Sequence, residues 1–421
     1  MSANLSQTDL GTHVRPRTEI DALEAQWLAP YAEKSATSRG RQHGGEPHPY
    51  RTEFQKDRDR IIHTTAFRRL QYKTQVFINY EGDYYRTRLT HTMEAAQMAR
   101  TIARALRVNE DLSEAIILAH DLGHSPFGHS GEVTLDRLML ERMGLDPNDP
   151  VNTGRGYNHN VQSLRIVDRL EKRWPGYSGL NLTWETREGM VKHVTEYDVV
   201  APEFSAPFLP EWRPSVEAQI VNYADELAYS VHDLDDGLRS GILTADMSAL
   251  QGVRLWQAIL AYADGPFSEL NRHVMIRKLF DLVVTDLIRT TADNIEAANP
   301  QSTDDVRRLS QPVASLSPTM AVQVAELKRF LYDNMYRAPR VVRMFRKAER
   351  VLIALFEAFE EDYRQLPAKT RARLLQVNPE VRDGGGFTVQ GYRVITDYIA
   401  GMTDRYALDE HKRLYDPYER T

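Results

Sequence analysis

The sequence predicts a mainly α-helical protein with at most one small β-hairpin, and two observations carry this prediction. Apolar residues recur at spacings of three and four in the stretches 61–70, 93–106 and 216–231. That period places them on one face of a helix, where they can be buried together. Strand-like alternation is confined to two short segments, 72–79 (YKTQVFIN) and 386–395 (GFTVQGYRVI). An all-α fold is therefore expected, with those two segments as its only strand candidates.

Proline, glycine and small polar residues divide the chain into elements. A first helix is predicted from Glu19 to Ala29, with Pro30 as its end. The Gly-, Ser-, Pro- and His-rich stretch after it is typical of a mobile loop or arm. Further along, Thr90 is a candidate N-cap for a helix that opens at His91. Three regions follow from these signals: a helix and mobile arm (1–50), a helical core (51–240) and a C-terminal helical region packed on that core (241–421).

Composition excludes several classes of protein. Of 421 residues, 42% are hydrophobic and 27% are charged, which is the balance of a globular protein with enough material for a core. Gly and Pro together number 43 (23 + 20), too few for a collagenous or wholly disordered chain. The absence of cysteine excludes disulfides and thiolate metal sites and fits a reducing compartment. With no signal-peptide-like apolar stretch and no membrane-length apolar run, we expect a cytoplasmic protein that does not associate with a membrane.

The charge balance argues against a general nucleic-acid coat. Lys and Arg number 53 against 59 Asp and Glu, a net charge of −6, whereas such a coat needs many phosphate-neutralising cations. The segment 51–73 nevertheless carries seven basic and only three acidic residues. One interpretation is an anionic ligand bound locally. The alternative, a solvated helix face with i,i+4 ion pairs, is favoured on this feature alone.

The densest polar motif is the segment 120–132 (HDLGHSPFGHSGE), which follows an apolar helical run at 112–119. An adjacent His120–Asp121 pair therefore stands where a helix ends at Leu-Gly. Imidazole and carboxylate form a mixed N/O ligand set, typical of Mn, Fe, Ni, Co or Zn. Adjacent residues on a regular helix point about 100° apart, so a helix end is where such a pair can best share one ion.

Two further ligand-type residues lie on predicted helix faces far away in sequence. His91 aligns with the apolar stripe of its helix, and Asp225 lies mid-helix between apolar neighbours. That second helix is predicted to have Pro214 in its first turn and Gly237 as its stop. A single buried histidine is more often an ordinary core residue, and a single carboxylate is more often in a salt bridge. Together with the His-Asp pair, however, they supply the ligands of a metal site inside a helical bundle.

These residues and their surroundings resemble a known family. A His, an adjacent His-Asp and a distant Asp on helices are similar to the HD phosphohydrolase superfamily. The strings RLTHTMEAAQMAR, HDLGHSPFGHSGE, NHNVQSLRI, VKH and NYADELAYSVHDLDDG resemble one branch of it, the deoxyguanosinetriphosphate triphosphohydrolase-like dNTPases. RDRIIHTTAFRRLQYKTQVF and DYIAGMTDRYA resemble the same branch, so the likeness runs from about residue 51 to 407. Region 51–240 is then the HD-domain catalytic core.

The resemblance implies a role for twelve residues. The implied metal ligands are His91, His120, Asp121 and Asp225. The implied catalytic pair is His129 and Glu132, and the implied substrate-binding residues are Gln75, Arg88, Asn160, Lys192, Tyr229 and Asp233. We expect His129 to act as general acid, oriented or tuned by Glu132 if a helix begins near Ser130. His124 is left out of this set, because a loop hydrogen bond explains it as well.

The reaction that the resemblance implies is hydrolysis of a dNTP to a deoxynucleoside and inorganic tripolyphosphate. Water attacks the α-phosphorus, with a divalent metal ion (Mn, Mg, Fe, Ni, Co or Zn) as cofactor. The resemblance also implies a homo-oligomer, most often a hexamer, and a separate regulatory dNTP site for which no residues are named.

Two alternatives stay open at this point. One is another HD hydrolase, a nucleotidase or phosphodiesterase, against which the His129/Glu132 pair argues. The other is a non-catalytic nucleotide sensor or single-stranded nucleic-acid binder, for which the basic segment 51–73 and its aromatic residues Phe54, Phe67 and Tyr72 would supply a stacking surface.

Overall fold

The computed structural model describes residues 14–77, 85–193, 206–262 and 267–420. Within these ranges the protein is helical, and β-structure is limited to three isolated bridges with no sheet. The predicted all-α fold class is thereby confirmed. In the described part of the chain, no helix combines the length and the apolar character that crossing a membrane requires.

Nine helices of the described residues precede residue 240. They are α1 (Arg17–Trp27), α2 (Glu53–Ile62), α3 (Thr65–Arg69), α4 (Arg88–Ala105), α5 (Glu110–His120), α6 (Gly128–Arg142), α7 (His159–Arg165), α8 (Trp184–Val191) and α9 (Val216–Arg239). Helix α5 lies at the centre and packs against α2, α4, α8 and α9. Its segment from Leu112 to His120 is buried at almost every position because the sequence there is almost continuously apolar.

The helices after residue 240 cover one side of this core. They are α10 (Ser248–Gln251), α11 (Arg254–Leu260), α12 (Glu269–Ala298), α13 (Thr303–Arg308), α14 (Pro318–Leu331), α15 (Pro339–Glu361), α16 (Ala368–Val377), α17 (Val389–Ala400) and α18 (Asp404–Tyr415). Helix α15 packs against α6, α17 and α18. The C-terminal helices therefore support α6, the helix that carries His129 and Glu132.

The stretch between α1 and α2 contacts the core through polar side chains. Arg41 donates to Asp57 and, over 2.7 Å, to the carbonyl of Asn181. Ser38 donates to Glu185 over 2.7 Å. These contacts join the predicted arm to α2 and α8. The mobility of the arm and the region boundaries at 50 and 240 stay predictions.

Neither strand candidate forms a strand within the described residues. In the first, Leu70–Tyr72 is a 3₁₀ turn and Thr74 forms a single antiparallel bridge with Thr87; positions 78 and 79 lie outside the described residues. The second is largely helical, since α17 starts at Val389. The hydroxyl of Thr388 caps this helix by accepting from the Gly391 amide, and Ile395 is buried one turn later. The N-cap and the helical spacing of the buried residues favour a helix more strongly than the short apolar/polar alternation favours a strand.

Three predicted helix ends are also corrected. Helix α1 ends at Trp27 rather than Ala29, and α4 has Thr87 as N-cap, with Thr90 completing a capping box one turn inside. Helix α9 continues through Gly237 to Arg239. A Cβ on Gly237 would lie only 2.5 Å from a methyl carbon of Leu243. This glycine therefore permits close packing of the following turn and does not stop the helix.

Candidate metal and active site

His91 enters the site from the first turn of α4. The Thr87–Thr90 capping box fixes where that turn begins, and His91 is 1% exposed there. Its Nε2 lies 2.8 Å from Asp225 Oδ1 on the neighbouring helix α9. A cap at Thr87 therefore places this imidazole against α9.

His120 is the last residue of α5, and Asp121 opens a 3₁₀ turn that ends at Gly123. The Nδ1 of His120 lies 2.6 Å from the Ile117 carbonyl, so Nδ1 carries the proton and Nε2 faces the site. The turn is tight because α7 packs on it: a Cβ on Gly123 would lie 2.2 Å from the carbonyl oxygen of His159. The Leu-Gly ending predicted from sequence thus delivers both side chains to one place.

Three of the four predicted ligands meet around one carboxylate oxygen, and the fourth, Asp121, lies beside His120. Asp225 Oδ1 lies 3.3 Å from His120 Nε2, in addition to its contact with His91. Asp121 Oδ1 is also 3.3 Å from His120 Nε2. Ligand atoms of His91, His120 and Asp225 all lie within 4.8 Å of one another. Residues from three separate helices therefore converge on a volume the size of one ion.

The electrostatics of this cluster favour a cation. Burial alone would lower the pKa of His120, but Asp121 and Asp225 raise it to about 9. Burial raises the pKa of both carboxyl groups, yet their imidazole neighbours and Arg88 hold them well below the usual range. Within the described structure, His120 Nε2 and Asp121 Oδ2 are buried without a hydrogen bond. Two imidazoles and two carboxylates, which can offer lone pairs on ring nitrogen and carboxylate oxygen, are the ligand types that suit a divalent transition metal ion.

A third histidine and an arginine border this cluster. His193, 1% exposed, has its Nε2 3.5 Å from Asp225 Oδ2. Arg88 donates to Asp121 Oδ1 over 3.0 Å from the first turn of α4. The backbone of Gln75 runs alongside Arg88 and Gly128, and its buried side-chain oxygen has no hydrogen-bond partner among the described residues. Arg88 thus lies at the edge of the cluster, and the roles of Arg88 and Gln75 as substrate contacts stay predictions.

Behind His91 lies a second polar layer. His232 Nδ1 is 3.2 Å from His91 Nδ1, and His232 Nε2 is 2.7 Å from Glu94 Oε2. Burial, together with His91 and Arg86, lowers the pKa of His232 to about 4 against the opposing effect of Glu94. Burial raises the pKa of Glu94, but His232 and Arg86 lower it to about 2. At neutral pH a neutral imidazole therefore lies between His91 and a carboxylate.

A second cluster is formed by Glu132, His159 and His124. Glu132 Oε1 accepts from the backbone N of His159 over 2.7 Å and lies 2.9 Å from its Nδ1. His124 Nε2 lies 3.0 Å from Asp121 Oδ1, which connects the two clusters. Burial raises the pKa of Glu132, but His159, His124 and His129 hold it well below the usual range. His159 is thus a hydrogen-bonding partner of Glu132 that the sequence analysis did not include.

The second cluster is better explained by hydrogen bonds than by a metal ion. Ligand atoms of its three residues lie within 4.8 Å of one another. The rings of His124 and His159, however, are stacked, with centroids 3.8 Å apart and an interplanar angle of 16°. Nitrogen lone pairs lie in the ring plane, so those of stacked rings run side by side and cannot converge on one ion.

His129 lies in the first turn of α6, three residues before Glu132 and exposed to solvent. The helix begins at Gly128, close to the predicted start, and the i,i+3 spacing puts both side chains on one face. Orientation of His129 by Glu132 stays a prediction.

Lys192 and Asn160 lie on either side of His193. Lys192 donates to Glu188 Oε1 over 3.0 Å and to the Trp212 carbonyl over 2.9 Å. The amide of Asn160 donates to the His193 carbonyl over 3.0 Å. Asn160 therefore positions the segment that carries His193. The Lys192 ammonium is held by Glu188, and a phosphate would compete with that carboxylate for it.

Tyr229 and Asp233 follow Asp225 at i+4 and i+8 on the same face of α9, as predicted. The hydroxyl of Tyr336, in the turn after α14, hydrogen-bonds to both of them. Burial, reinforced by Asp236, raises the pKa of Asp233 well above its usual range. Tyr336 is 107 residues from Tyr229, so only the folded chain reveals it as part of this group.

Sequence reasoning left out several residues that line the site. His124 was considered and set aside, and His159, His193, His232 and Tyr336 were not named. Some signal existed for the histidines: His159 lies in the NHN string, His193 follows Lys192, and His232 falls seven residues after Asp225 on the same helix face.

Comparison with known proteins agrees with this geometry. Residues 88–230 match the HD domain, and residues 314–413 match the phosphohydrolase-associated domain. The first match spans all four predicted metal ligands. The second covers α14 to most of α18 and includes α15 and α17, which pack against α6.

Similar proteins cover nearly the whole chain. A deoxyguanosinetriphosphate triphosphohydrolase-like protein of Geobacter sulfurreducens is 48% identical over 403 residues, 95% of this chain and 98% of that protein. Proteins with the same description from Geobacter metallireducens and Ralstonia nicotianae are each 49% identical, over 93% and 92% of this chain and 96% and 94% of their own. The chain therefore belongs to the deoxyguanosinetriphosphate triphosphohydrolase-like proteins, a branch of the HD-domain phosphohydrolases.

Proposed function

We propose that the protein hydrolyses deoxynucleoside triphosphates, dGTP or other dNTPs, to a deoxynucleoside and inorganic tripolyphosphate in a metal-dependent reaction. The observation that carries this proposal is the convergence of His91, His120 and Asp225, with Asp121 next to His120, beside Arg88 and the Glu132 cluster. A nucleotide substrate is consistent with the names of its relatives.

His91, His120, Asp121 and Asp225 would hold the divalent cation. The chemistry gained from such a cation is polarisation of a phosphoryl oxygen and activation of water at neutral pH. Arg88 is already fixed by Asp121 and can turn its remaining N–H groups toward a phosphate. Lys192 adds a second positive charge once a phosphate replaces Glu188 as its partner. These two cations would hold the α-phosphorus in position for attack by water.

Proton transfer is assigned to His129. Water adds to the α-phosphorus, the bond from phosphorus to O5′ breaks, and O5′ needs a proton in order to leave. The exposed imidazole of His129, on the first turn of α6, would supply it as a general acid. Glu132, whose negative charge is stabilised by His159, would attract and retain the proton on His129.

Recognition of the deoxyribose is assigned to the group around Tyr229. Tyr229 would form a floor under the sugar, and Asp233 or Gln75 would hydrogen-bond the 3′-hydroxyl. Tyr336 narrows the same space because its hydroxyl contacts both Tyr229 and Asp233. A 2′-hydroxyl would then lack room, which would favour dNTPs over ribonucleotides.

Product analysis tests the proposal directly. The purified protein is incubated with each dNTP, singly and mixed, with Mg or Mn, and the products are separated by anion exchange. Tripolyphosphate and deoxynucleoside are expected, with none formed by an Asp225→Asn control. Orthophosphate or pyrophosphate as the released product would overturn the proposal in favour of another HD hydrolase. Ribonucleotides cleaved as fast as dNTPs would overturn the assignment of the sugar pocket.

The alternative of a nucleic-acid binder gains no support from the basic segment 51–73. Arg58 pairs with Asp111 and Glu114, and Lys56 pairs with Glu53. Buried Lys73 donates to the carbonyls of His124 and Ala400. These cations serve internal contacts. Binding of single-stranded nucleic acid, a regulatory dNTP, hexamer formation and a cytoplasmic location stay predictions.

A further inference from the structure

We propose that Asp404 is a positioning residue: it fixes the turn before α6 against the segment that carries Gln75 and thereby sets where His129 lies relative to the substrate. We call residues 124–128 the α6 turn. The inference rests on the proposed function and deepens it, because His129 is the proton donor assigned there. It also gives the region that matches the phosphohydrolase-associated domain a part in the reaction, since Asp404 is the first residue of α18.

Asp404 carries a buried carboxylate whose two oxygens bind different segments of the chain. The residue is 1% exposed. Its Oδ2 accepts from the backbone N of Thr74 over 2.8 Å and from the hydroxyl of the same residue. Its Oδ1 accepts from the backbone N of Phe127 over 2.8 Å. Thr74 precedes Gln75, and Phe127 precedes the start of α6 at Gly128, so one side chain joins the two segments.

The α6 turn has a backbone conformation that the surrounding structure must hold. Phe127 has a φ of +64°, in the left-handed region that is uncommon for residues other than glycine. Such a conformation costs on the order of 1–3 kcal/mol and persists only where neighbouring groups fix it. The ring of Phe127 is buried, and Asp404 binds its N–H. Because α6 begins at the next residue, this turn decides where the first helical turn, with His129, lies.

The two joined segments meet beside the groups that are predicted to contact the substrate. A Cβ on Gly128 would lie 3.6 Å from both Arg88 Nη2 and the Gln75 carbonyl oxygen. A displacement of the α6 turn would therefore move the proton donor relative to these groups. Misplacement of a catalytic group by about 1 Å can lower a rate by about 100-fold.

Lys73 makes a second connection between the same elements. Its buried ammonium donates to the carbonyl of His124, in the α6 turn, and over 2.9 Å to the carbonyl of Ala400, the last residue of α17. Lys73 is next to Thr74, and Ala400 and Asp404 lie at the two ends of the short connection between α17 and α18. Two side chains of opposite charge thus hold this connection against the same two segments.

The test compares the same isosteric change at two buried aspartates. Asp404→Asn keeps one acceptor oxygen but turns an NH₂ group toward a backbone N–H, so position 404 no longer holds both segments. Asp57→Asn is the matched control. Asp57 is 0% exposed and accepts from the backbone N and the hydroxyl of Thr183, over 2.8 Å and 2.6 Å. It joins α2 to the start of α8, outside the predicted site.

The readouts are kcat for tripolyphosphate release per folded molecule and the affinity for Mn²⁺ in the absence of substrate. We expect Asp404→Asn to lower kcat by about 10- to 100-fold, because His129 is misplaced. Its Mn²⁺ affinity should equal that of wild type, since Asp404 hydrogen-bonds to Thr74 and Phe127 and not to a predicted metal ligand. Asp57→Asn should melt at a lower temperature than wild type and keep its kcat.

Amide hydrogen exchange supplies a measurement that does not depend on activity. The Phe127 amide should exchange faster in Asp404→Asn than in wild type, and at the wild-type rate in Asp57→Asn. The proposal is overturned if folded Asp404→Asn keeps the kcat of wild type, or if both variants lose kcat in proportion to their loss of stability. Wild-type protein that releases no tripolyphosphate would sink the proposed function alone, and exchange at Phe127 would then still decide whether Asp404 holds the α6 turn.

Discussion

Two buried clusters of charged side chains in this protein have different roles, one in the candidate metal site and one in stability. The site cluster consists of His91, His120, Asp121 and Asp225. The arm cluster joins the N-terminal stretch, α8, α9 and α13 through Glu33, Glu188, Lys192, Glu217 and Arg307. Both contain carboxylates taken out of water, which is costly unless they are paired. The two clusters differ in the groups that pair with their carboxylates.

In the arm cluster the partners are permanent cations and backbone donors. Arg307, 1% exposed, donates to Glu188 Oε2 over 2.8 Å and to Glu33 Oε1 over 2.5 Å. Glu217 accepts from the backbone N of Glu33 and of Asn109. In the site cluster the partners are mostly imidazoles with lone pairs, which a cation can also use. Buried charge alone is therefore a poor indicator of function, whereas converging free lone pairs are a good one.

The largest effect is expected from removing the central ligand of the site cluster. Asp225→Asn should lose bound metal and lower turnover by at least about 1,000-fold, because the metal supplies several kcal/mol of transition-state stabilisation. Metal content per chain and tripolyphosphate release measure this. Asp233→Asn, the same change two turns along α9, is the matched control and should keep its metal. An Asp225→Asn protein that retains one equivalent of metal would contradict the assignment.

Removal of the proposed general acid should separate catalysis from metal binding within the site. His129→Ala is expected to lower turnover by about 100- to 10,000-fold, the usual range for general acid catalysis. Its metal content should equal that of wild type, because His129 is exposed on α6 and outside the convergence around Asp225. Normal turnover in this variant would remove the role assigned to His129.

The arm cluster should respond in stability and not in metal content. Arg307→Gln leaves Glu33 and Glu188 without their shared cation and should lower the free energy of unfolding by about 3–5 kcal/mol. Chemical denaturation measures the loss. The control is Arg308→Gln, the next residue, whose side chain is 59% exposed and which should change stability by no more than about 0.5 kcal/mol. Equal stability of both variants would mean that the arm cluster contributes nothing.

The comparison also explains what the sequence could predict about the fold. Helical periodicity was reliable where it extended over several turns, as in α4 and α9. It failed at single residues whose role depends on distant packing: Gly237 was taken as a helix stop because its contact with Leu243 is not visible in sequence. The segment 386–395 shows the same limit, since alternation over a few residues did not outweigh a cap at Thr388.

The site was predictable to the extent that its signals were local. His120 and Asp121 are adjacent, and Asp225, Tyr229 and Asp233 share one helix face, so spacing and the family resemblance found them. His232 shares that face as well, but the side chains that it contacts, His91 and Glu94, lie on another helix. Tyr336 comes from the C-terminal half of the chain. Contacts between distant segments carry no spacing signal, which is why these residues were missed.

The smallest expected effect is a pH dependence that belongs to the arm cluster. Burial and the neighbouring Glu217 raise the pKa of Glu33 from 4.5 to about 7, against the opposing charge of Arg307. Between these two values the folded protein keeps a proton that the unfolded chain releases. The free energy of unfolding therefore falls as pH rises, by at most about 1.4 kcal/mol per pH unit, and the loss is complete above pH 7.

Substitution of Glu33 by glutamine isolates this contribution. The melting temperature of wild type minus that of Glu33→Gln should fall by about a few degrees between pH 5 and pH 7 and then stay level. Glu19→Gln, at an exposed carboxylate on α1, should give a difference that does not change with pH. A difference that stays level from pH 5 to pH 7 would show that Glu33 is ionised throughout this range and that Arg307, rather than burial, controls the arm cluster.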